Sequence, residues 1–409
     1  RAYMKLKAGV SVTLLANIIF ALSQWIIIAG LNYTGKTDVV GQYAFAIAIA
    51  GLFLTIGQLG LRPYLLSSII GKKEIQYVFQ VRLITSVIAF LGLTTFSYYF
   101  LSPLYFLLVL VLGAGKIIEN LSDICHGYYQ KNFQIQQIVY SRIFRSLVSP
   151  IFFLALFFYT NNIVLSSAGI FVSLLLTFYF FDKKVLPQHR IPLFSSMPSD
   201  YFKKIVTKAS PMGFAAVLVI LVVNIPLFVL KESAPDMVVG TYASIFYFVT
   251  AGSLVLQSAM QVISPLLTHN IKANSASTVK TLVMKSYFMA GVFGILGILL
   301  ASVFGSYVLE LLYGSSFKDL GELLLIASLI NFTLAFQAVG GVALTSFGVF
   351  KYQMYCMLFI IPICYFSSLF LVSLFGVQGA LYAGAISSFI IASLFLFKSL
   401  KKLNEIEKN

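Results

Sequence analysis

Lys116, Glu119, Asn120 and Asp123 stand in an otherwise apolar stretch, Leu112-Gly113-Ala114-Gly115-Lys116-Ile117-Ile118-Glu119-Asn120-Leu121-Ser122-Asp123. Spacings of three and four place them on one face of a helix. Lys116 lies ~14 Å from the basic end of that stretch, at about 1.5 Å per residue. A charge at such depth in lipid costs at least ~2.5 kcal/mol unless it meets water or a partner. Two readings stand. One is a self-contained Lys116–Glu119 pair that stabilises helix packing. The other is a cavity-lining site for an anionic substrate. The second is favoured, because ionisable side chains at membrane depth are rare and mark substrate or ion paths. Glu119 and Asp123 are then candidates to carry a coupling proton or sodium ion, with a plain interfacial charge as the alternative for Asp123.

Further polar stripes occur in other apolar stretches: Thr13, Asn17 and Gln24; Thr55, Gln58 and Arg62; Thr250, Gln257, Gln261 and Ser264. Neutral side chains of this kind often join helix to helix. Taken with Lys116, one shared wet cavity explains them better. Arg142 and Arg145 open another stretch as orientation-setting charges, and Arg145 is deep enough to reach a phosphate. The candidate substrate-binding set is therefore Lys116, Arg62, Arg145, Asn17, Gln24, Gln58, Asn120, Gln257 and Gln261. Cys125, Cys356 and Cys364 form no CxxC pair, and His126, His189 and His269 sit near loops without clustering. No disulfide framework, metal site or cofactor is expected, beyond a coupling H+ or Na+.

The elements that must position these groups are membrane helices. Hydrophobic residues make up 59% of the 409-residue chain and charged ones 10%, against about 25% charged in soluble domains. Such a chain cannot cover a globule with charge. A soluble enzyme and a nucleic-acid binder are both excluded as readings, and the net charge of +15 belongs to loops that set orientation. A bilayer core needs about 20 apolar residues per helix. That ruler yields twelve windows, near 9–31, 40–61, 81–101, 104–125, 143–159, 163–181, 209–230, 238–267, 286–309, 320–344, 352–373 and 377–397. With the N-terminus inside, 24 basic residues fall in inner segments and only Lys36, Lys231 and Lys318 outside. Twelve spans with cytoplasmic termini follow. No removable signal peptide is expected at the start. The longest loop, 182–208, holds Pro187, Pro192 and Pro198 and then a short amphipathic stretch capped by Ser199 or Asp200, expected to lie on the inner membrane surface. The chain thus divides into a six-helix bundle over 1–181, a linker over 182–208 and a second six-helix bundle with a cytoplasmic tail over 209–409.

An internal repeat supports that division. Val39-Val40-Gly41-Gln42-Tyr43-Ala44 answers Val238-Val239-Gly240-Thr241-Tyr242-Ala243 at an offset of 199 residues. Pro150 answers Pro362 in the matching span of the other half. An even number of spans returns the chain to its starting side, so the halves share orientation and are related by a pseudo-twofold along the membrane normal. Two bundles rocking about a central cavity are the layout of many secondary transporters. No G-x-x-x-x-G-K-[ST] phosphate loop occurs, so energy comes from a gradient, the membrane potential or the substrate itself.

The loop pattern of major facilitator proteins fails here: Gly60-Leu61-Arg62-Pro63-Tyr64-Leu65, followed by Gly71-Lys72-Lys73, lacks the aspartate. The chain instead resembles polysaccharide flippases of the multidrug/oligosaccharidyl-lipid/polysaccharide (MOP) exporter superfamily. The resemblance is carried by Gly41-Gln42-Tyr43-Ala44-Phe45-Ala46, Gly60-Leu61-Arg62-Pro63, Gly127-Tyr128-Tyr129-Gln130 and Ser141-Arg142-Ile143, and by topology over the whole chain. It implies an all-α, MATE-like fold without enzymatic activity. It also implies movement of a polyprenyl-diphosphate-linked oligosaccharide from the inner to the outer leaflet by alternating access. A cationic cavity would hold the diphosphate while the lipid tail stays in the bilayer, with Lys116 and Arg62 as candidates for that charge. The expected partners are this glycan, the bilayer and polysaccharide polymerase machinery, in a bacterial cytoplasmic membrane. The family's multidrug and cation antiporters share the fold; Lys116 and Arg62 argue against that branch, while Glu119 and Asp123 keep it open.

Overall fold

The computed structural model describes residues 2–67, 71–132, 134–185 and 197–408, with the backbone alone at 2–17, 67, 72–73 and 407–408. Every regular element among them is helical. In hydrocarbon each backbone N–H and C=O must be satisfied within its own segment, and the helix does this. The helices are α1 (Ala2–Tyr33), α2 (Thr37–Gln58), α3 (Leu61–Ser67), α4 (Lys72–Phe100), α5 (Pro103–Lys131), α6 (Ile135–Thr160) and α7 (Ile163–Phe180). They continue with α8 (Ser199–Ser233), α9 (Asp236–Lys272), α10 (Ala276–Tyr313), α11 (Gly321–Ser346) and α12 (Phe350–Lys408).

Ten helices among the described residues are long and apolar enough to cross a membrane. The last, α12, has 59 residues and breaks at Gly376, where φ is 54° and ψ −121°. Its length of roughly 88 Å at 1.5 Å per residue is over twice a hydrocarbon core of about 30 Å, long enough for two crossings. With the 32-residue α1, the architecture is consistent with twelve spans. The chain is a multi-pass membrane protein.

It forms two compact units, one of residues 1–27 with 42–221, the other of 28–41 with 222–409. In the first, α5 packs against α4, α7 and α3, and α6 against α7. A cluster at its basic end joins Leu61, Leu65, Val78, Phe79, Ile124, Tyr129, Ile138, Ile205 and Ala209. In the second, α11 packs against α9, α10 and α12. There α10 shows how sequence assigns faces. Phe288, Val292, Ile295, Leu299 and Val303 are exposed, while Val283, Tyr287, Ala290, Gly294 and Ala301 are buried. The exposed stripe is as apolar as the buried one, which is what a lipid-facing surface requires.

The helices overrun the apolar windows on the basic side. α4 starts at Lys72, α6 at Ile135, α8 at Ser199 and α10 at Ala276, each eight to ten residues before its window. The stretch after Pro198, expected as a separate surface helix, is the first turns of the continuous 35-residue α8. Its Tyr201 ring lies 5.0 Å from that of Tyr77 on α4, and Lys204 pairs with Glu74 at 2.7 Å. Hydropathy marks only the part of a helix that lipid surrounds; packing against a neighbour extends it into water. Pro187 and Pro192 lie outside the described residues.

The repeat meets itself within the second unit. α2 begins at Thr37 and α9 at Asp236, again 199 residues apart. A methyl group on Gly41 would fall on the Asp236 carbonyl oxygen, and one on Gly240 on the Thr37 carbonyl oxygen. Each repeat glycine therefore faces the counterpart of what the other faces, a locally two-fold crossing that only glycine permits. A second close approach lies in the first unit. Leu59 and Gly60 take φ values of 50° and 65°, ending α2, and a Cβ on Gly60 would lie 2.6 Å from the Gly213 nitrogen on α8.

Candidate functional site

In the first unit, α5 carries Lys116 and Glu119 into a cavity that α1, α2, α6 and α7 also line. Gly115 beside them brings α7 close: a Cβ there would sit 3.2 Å from Leu174 Cδ1. The Glu119 carboxylate is shared. Its Oε2 lies 2.8 Å from Lys116 Nζ, and its Oε1 lies 3.0 Å from Arg145 Nη2 of α6. Arg145 stands ten residues into α6, about 15 Å along the helix, and its guanidinium lies 5.3 Å from the centre of the Phe20 ring. Gln24, Tyr43, Ser149 and Ser167 also line the space. Two cations against one carboxylate leave the lining one positive charge in excess. The volume is ≈ 70 Å³, room for a few waters at ~10–15 Å³ each. A cation pair in a small, partly dry space attracts anions far more strongly than the same pair in bulk water.

The three-and-four spacing on α5 places Asp123 one turn further on, where it too is shared. Arg62 Nη1 donates to its Oδ1 at 2.7 Å and Arg82 Nη2 to its Oδ2 at 3.2 Å. Arg62 Nη2 also donates to Gln130 Oε1 at 2.9 Å. Gly127 makes room for the Arg62 stem, since a Cβ there would lie 3.0 Å from Arg62 Cγ. Arg82, counted from sequence among the orientation-setting loop charges, is 1% exposed. Its position at the very start of an apolar window was the available signal.

The remaining candidates separate. Asn120 is 0% exposed and acts as a clamp between helices. Its amide donates to Leu54 O at 3.0 Å and Ser86 Oγ at 3.2 Å, and its oxygen accepts from Gln58 Nε2 at 3.0 Å. Asn120 and Gln58 thus spend their hydrogen bonds on packing, rather than lining the cavity beside Lys116. Gln257 and Gln261 are exposed on α9 of the second unit. Thr13 and Asn17 lie on α1, among residues whose side chains are not described. His126, expected near a loop, is buried in α5, with Nε2 3.1 Å from Asp182 Oδ1 and 3.2 Å from Ser141 Oγ. Sequence reasoning also missed Ser167. The residue lines the cavity and is 0% exposed, and its buried hydroxyl has no hydrogen-bond partner among the described residues. One serine of three in an apolar window, beside Ser166 and short of Ser173, gives no signal for that. Among the described residues, no group of three or more His, Cys, Asp or Glu side chains is placed to hold a metal ion.

Long apolar helices surround a small cavity with a cationic lining, and solved structures agree on the fold. The chain is similar to a multidrug resistance MATE family transporter of the MOP superfamily in an inward-facing conformation, with a TM-score of 0.73 and 14% identity over 96% of each chain. It is also similar to a MOP superfamily transporter from Pyrococcus furiosus, described by the reverse polarity of its binding pocket. That match has a TM-score of 0.67 and 14% identity over 98% of this chain and 96% of the other. The fold is that of a MOP-superfamily transporter. Residues 6–271 match the model of the polysaccharide biosynthesis protein family, and the chain belongs to that family. The capsular polysaccharide biosynthesis protein CapF of Staphylococcus aureus is 25% identical over 380 residues, covering 92% of this chain and 94% of the relative.

Proposed function

We propose that this protein is a flippase. It carries a polyprenyl-diphosphate-linked oligosaccharide, a capsule or O-antigen-type repeat unit, from the inner to the outer leaflet of a bacterial cytoplasmic membrane. The observation that carries this reading is the convergence of Lys116 and Arg145 on one cavity wall, both within 3.0 Å of a single carboxylate. Diphosphate oxygens match such cations with short, charge-assisted hydrogen bonds. Phe20 and Tyr43 supply aromatic surface in the same lining. The lipid tail stays in the bilayer, the termini are cytoplasmic, and two six-helix halves alternate access to the site. An H+ or Na+ gradient or the membrane potential drives the cycle, and polysaccharide polymerase machinery receives the product.

The multidrug and cation antiporter reading needs an acidic group free to meet a cationic substrate. Glu119 and Asp123 are each held by two bases, which favours the flippase. The test is depletion of the protein in its host, followed by mass spectrometry of lipid-linked glycans and a leaflet-accessibility assay. A polyprenyl-diphosphate oligosaccharide accumulating on the inner leaflet is expected, and Lys116→Ala should reproduce it. Unchanged lipid-linked glycans with new sensitivity to cationic drugs would replace this reading with the antiporter.

A further inference from the structure

We propose that Glu119 is a built-in competing anion that sets the minimum charge an occupant of the cavity must carry. The inference rests on the diphosphate site proposed above. Each oxygen of the carboxylate takes one cation, Oε2 at 2.8 Å from Lys116 and Oε1 at 3.0 Å from Arg145. Glu119 therefore occupies the positions that two phosphate oxygens would take. It stands three residues from Lys116 on the same helix, so its effective concentration at the site is that of a tethered ligand. An entering anion must displace it. A monoanionic phospholipid headgroup exchanges one negative charge for another and gains no Coulomb energy. A dianionic diphosphate brings one charge more and gains the difference.

The cavity supplies what the exchange requires. Ser167 offers a buried hydroxyl without a partner among the described residues, a donor Glu119 does not use. Gln24 and Tyr43 in the same lining offer donors to the displaced carboxylate. Glu119 thereby keeps abundant bilayer anions out of a site whose bare cations would attract them.

The experiment uses the full chain in nanodiscs of zwitterionic lipid, with and without phosphatidylglycerol, titrated with farnesyl diphosphate and with inorganic diphosphate. In the wild type, phosphatidylglycerol leaves farnesyl diphosphate binding unchanged. Glu119→Gln should bind farnesyl diphosphate about tenfold tighter or more, the worth of one hydrogen bond to a charged group, and should become sensitive to phosphatidylglycerol. Glu119→Asp keeps the charge on a shorter stem that cannot reach both cations; it should tighten binding by less, and it covers the case in which the glutamine variant folds poorly. Equal tightening of both diphosphates assigns the discrimination to charge, as proposed. Variants that melt like the wild type and bind no tighter would overturn the proposal. Lys116→Ala separates the two levels: normal diphosphate binding there defeats the site itself, whereas lost binding there with no gain in Glu119→Gln defeats only the role of Glu119.

Discussion

Replacing Asp123 by Asn should cost this protein more stability than any neutralisation of an exposed charge. Asp123 is the shared acceptor of two arginines, 2.7 Å from Arg62 and 3.2 Å from Arg82. The two donors differ in burial: the Arg62 side chain is 23% exposed and that of Arg82 1%. Arg62 keeps water and Gln130 after the change, so its share is that of a surface pair, about 0–1 kcal/mol. Arg82 keeps its charge and loses its counter-ion inside the protein, a situation that costs about 3–5 kcal/mol. Against a typical total of about 5–15 kcal/mol, that is roughly a fifth or more of the margin. The assay is the melting of detergent-purified variants, followed by fluorescence-detected size exclusion. The expected order is wild type, then Arg82→Met with Asp123→Asn, then Arg62→Gln with Asp123→Asn, then Asp123→Asn alone. Removing the buried charge restores most of the loss and removing the exposed one little. If Asp123→Asn melts with the wild type, or if Arg62→Gln rescues better than Arg82→Met, the burial argument is wrong. The rescued double variant also addresses ion coupling: gradient-driven transport at wild-type rate per folded molecule makes Asp123 structural, and uncoupled transport makes it the coupling carboxylate.

Other expectations follow from packing. Gly240→Ala places a methyl on the Thr37 carbonyl and should cost about 1–3 kcal/mol; Gly41→Ala should match it, and the pair should fall short of additivity, as read by melting. Asn120→Ala removes three interhelical hydrogen bonds, worth ~0.6 kcal/mol each in a membrane. Its thermal stability should drop by ~2 kcal/mol, while transport per folded molecule stays near wild type. Gly376→Ala meets open space but keeps a positive φ of 54°; backbone strain of ~1–3 kcal/mol should lower stability without altering diphosphate affinity.

Much was legible in one dimension because lipid imposes a local rule. The apolar windows locate the membrane helices, since about 20 apolar residues are needed to cross and no neighbour changes that requirement. The offset of 199 residues between the Gly41 and Gly240 segments recurs in the starts of α2 and α9, because a duplicated sequence meets the same local rule twice. The common face of Lys116, Glu119 and Asp123 follows from helix periodicity alone. What the tertiary structure decided is who meets whom on that face. Glu119 finds Arg145 on α6, and Asp123 finds Arg82 on α4; sequence marks Arg145 as a candidate phosphate contact without naming its carboxylate partner, and reads Arg82 as an ordinary loop charge. Asn120 sits on the same face and is spent on Leu54 and Ser86. His126 finds Asp182 across 56 residues of sequence. Pairings of this kind depend on which helices lie side by side and at what rotation, which interhelical packing sets. A charge at the end of an apolar window has the same local pattern whether it ends in water or against a buried carboxylate.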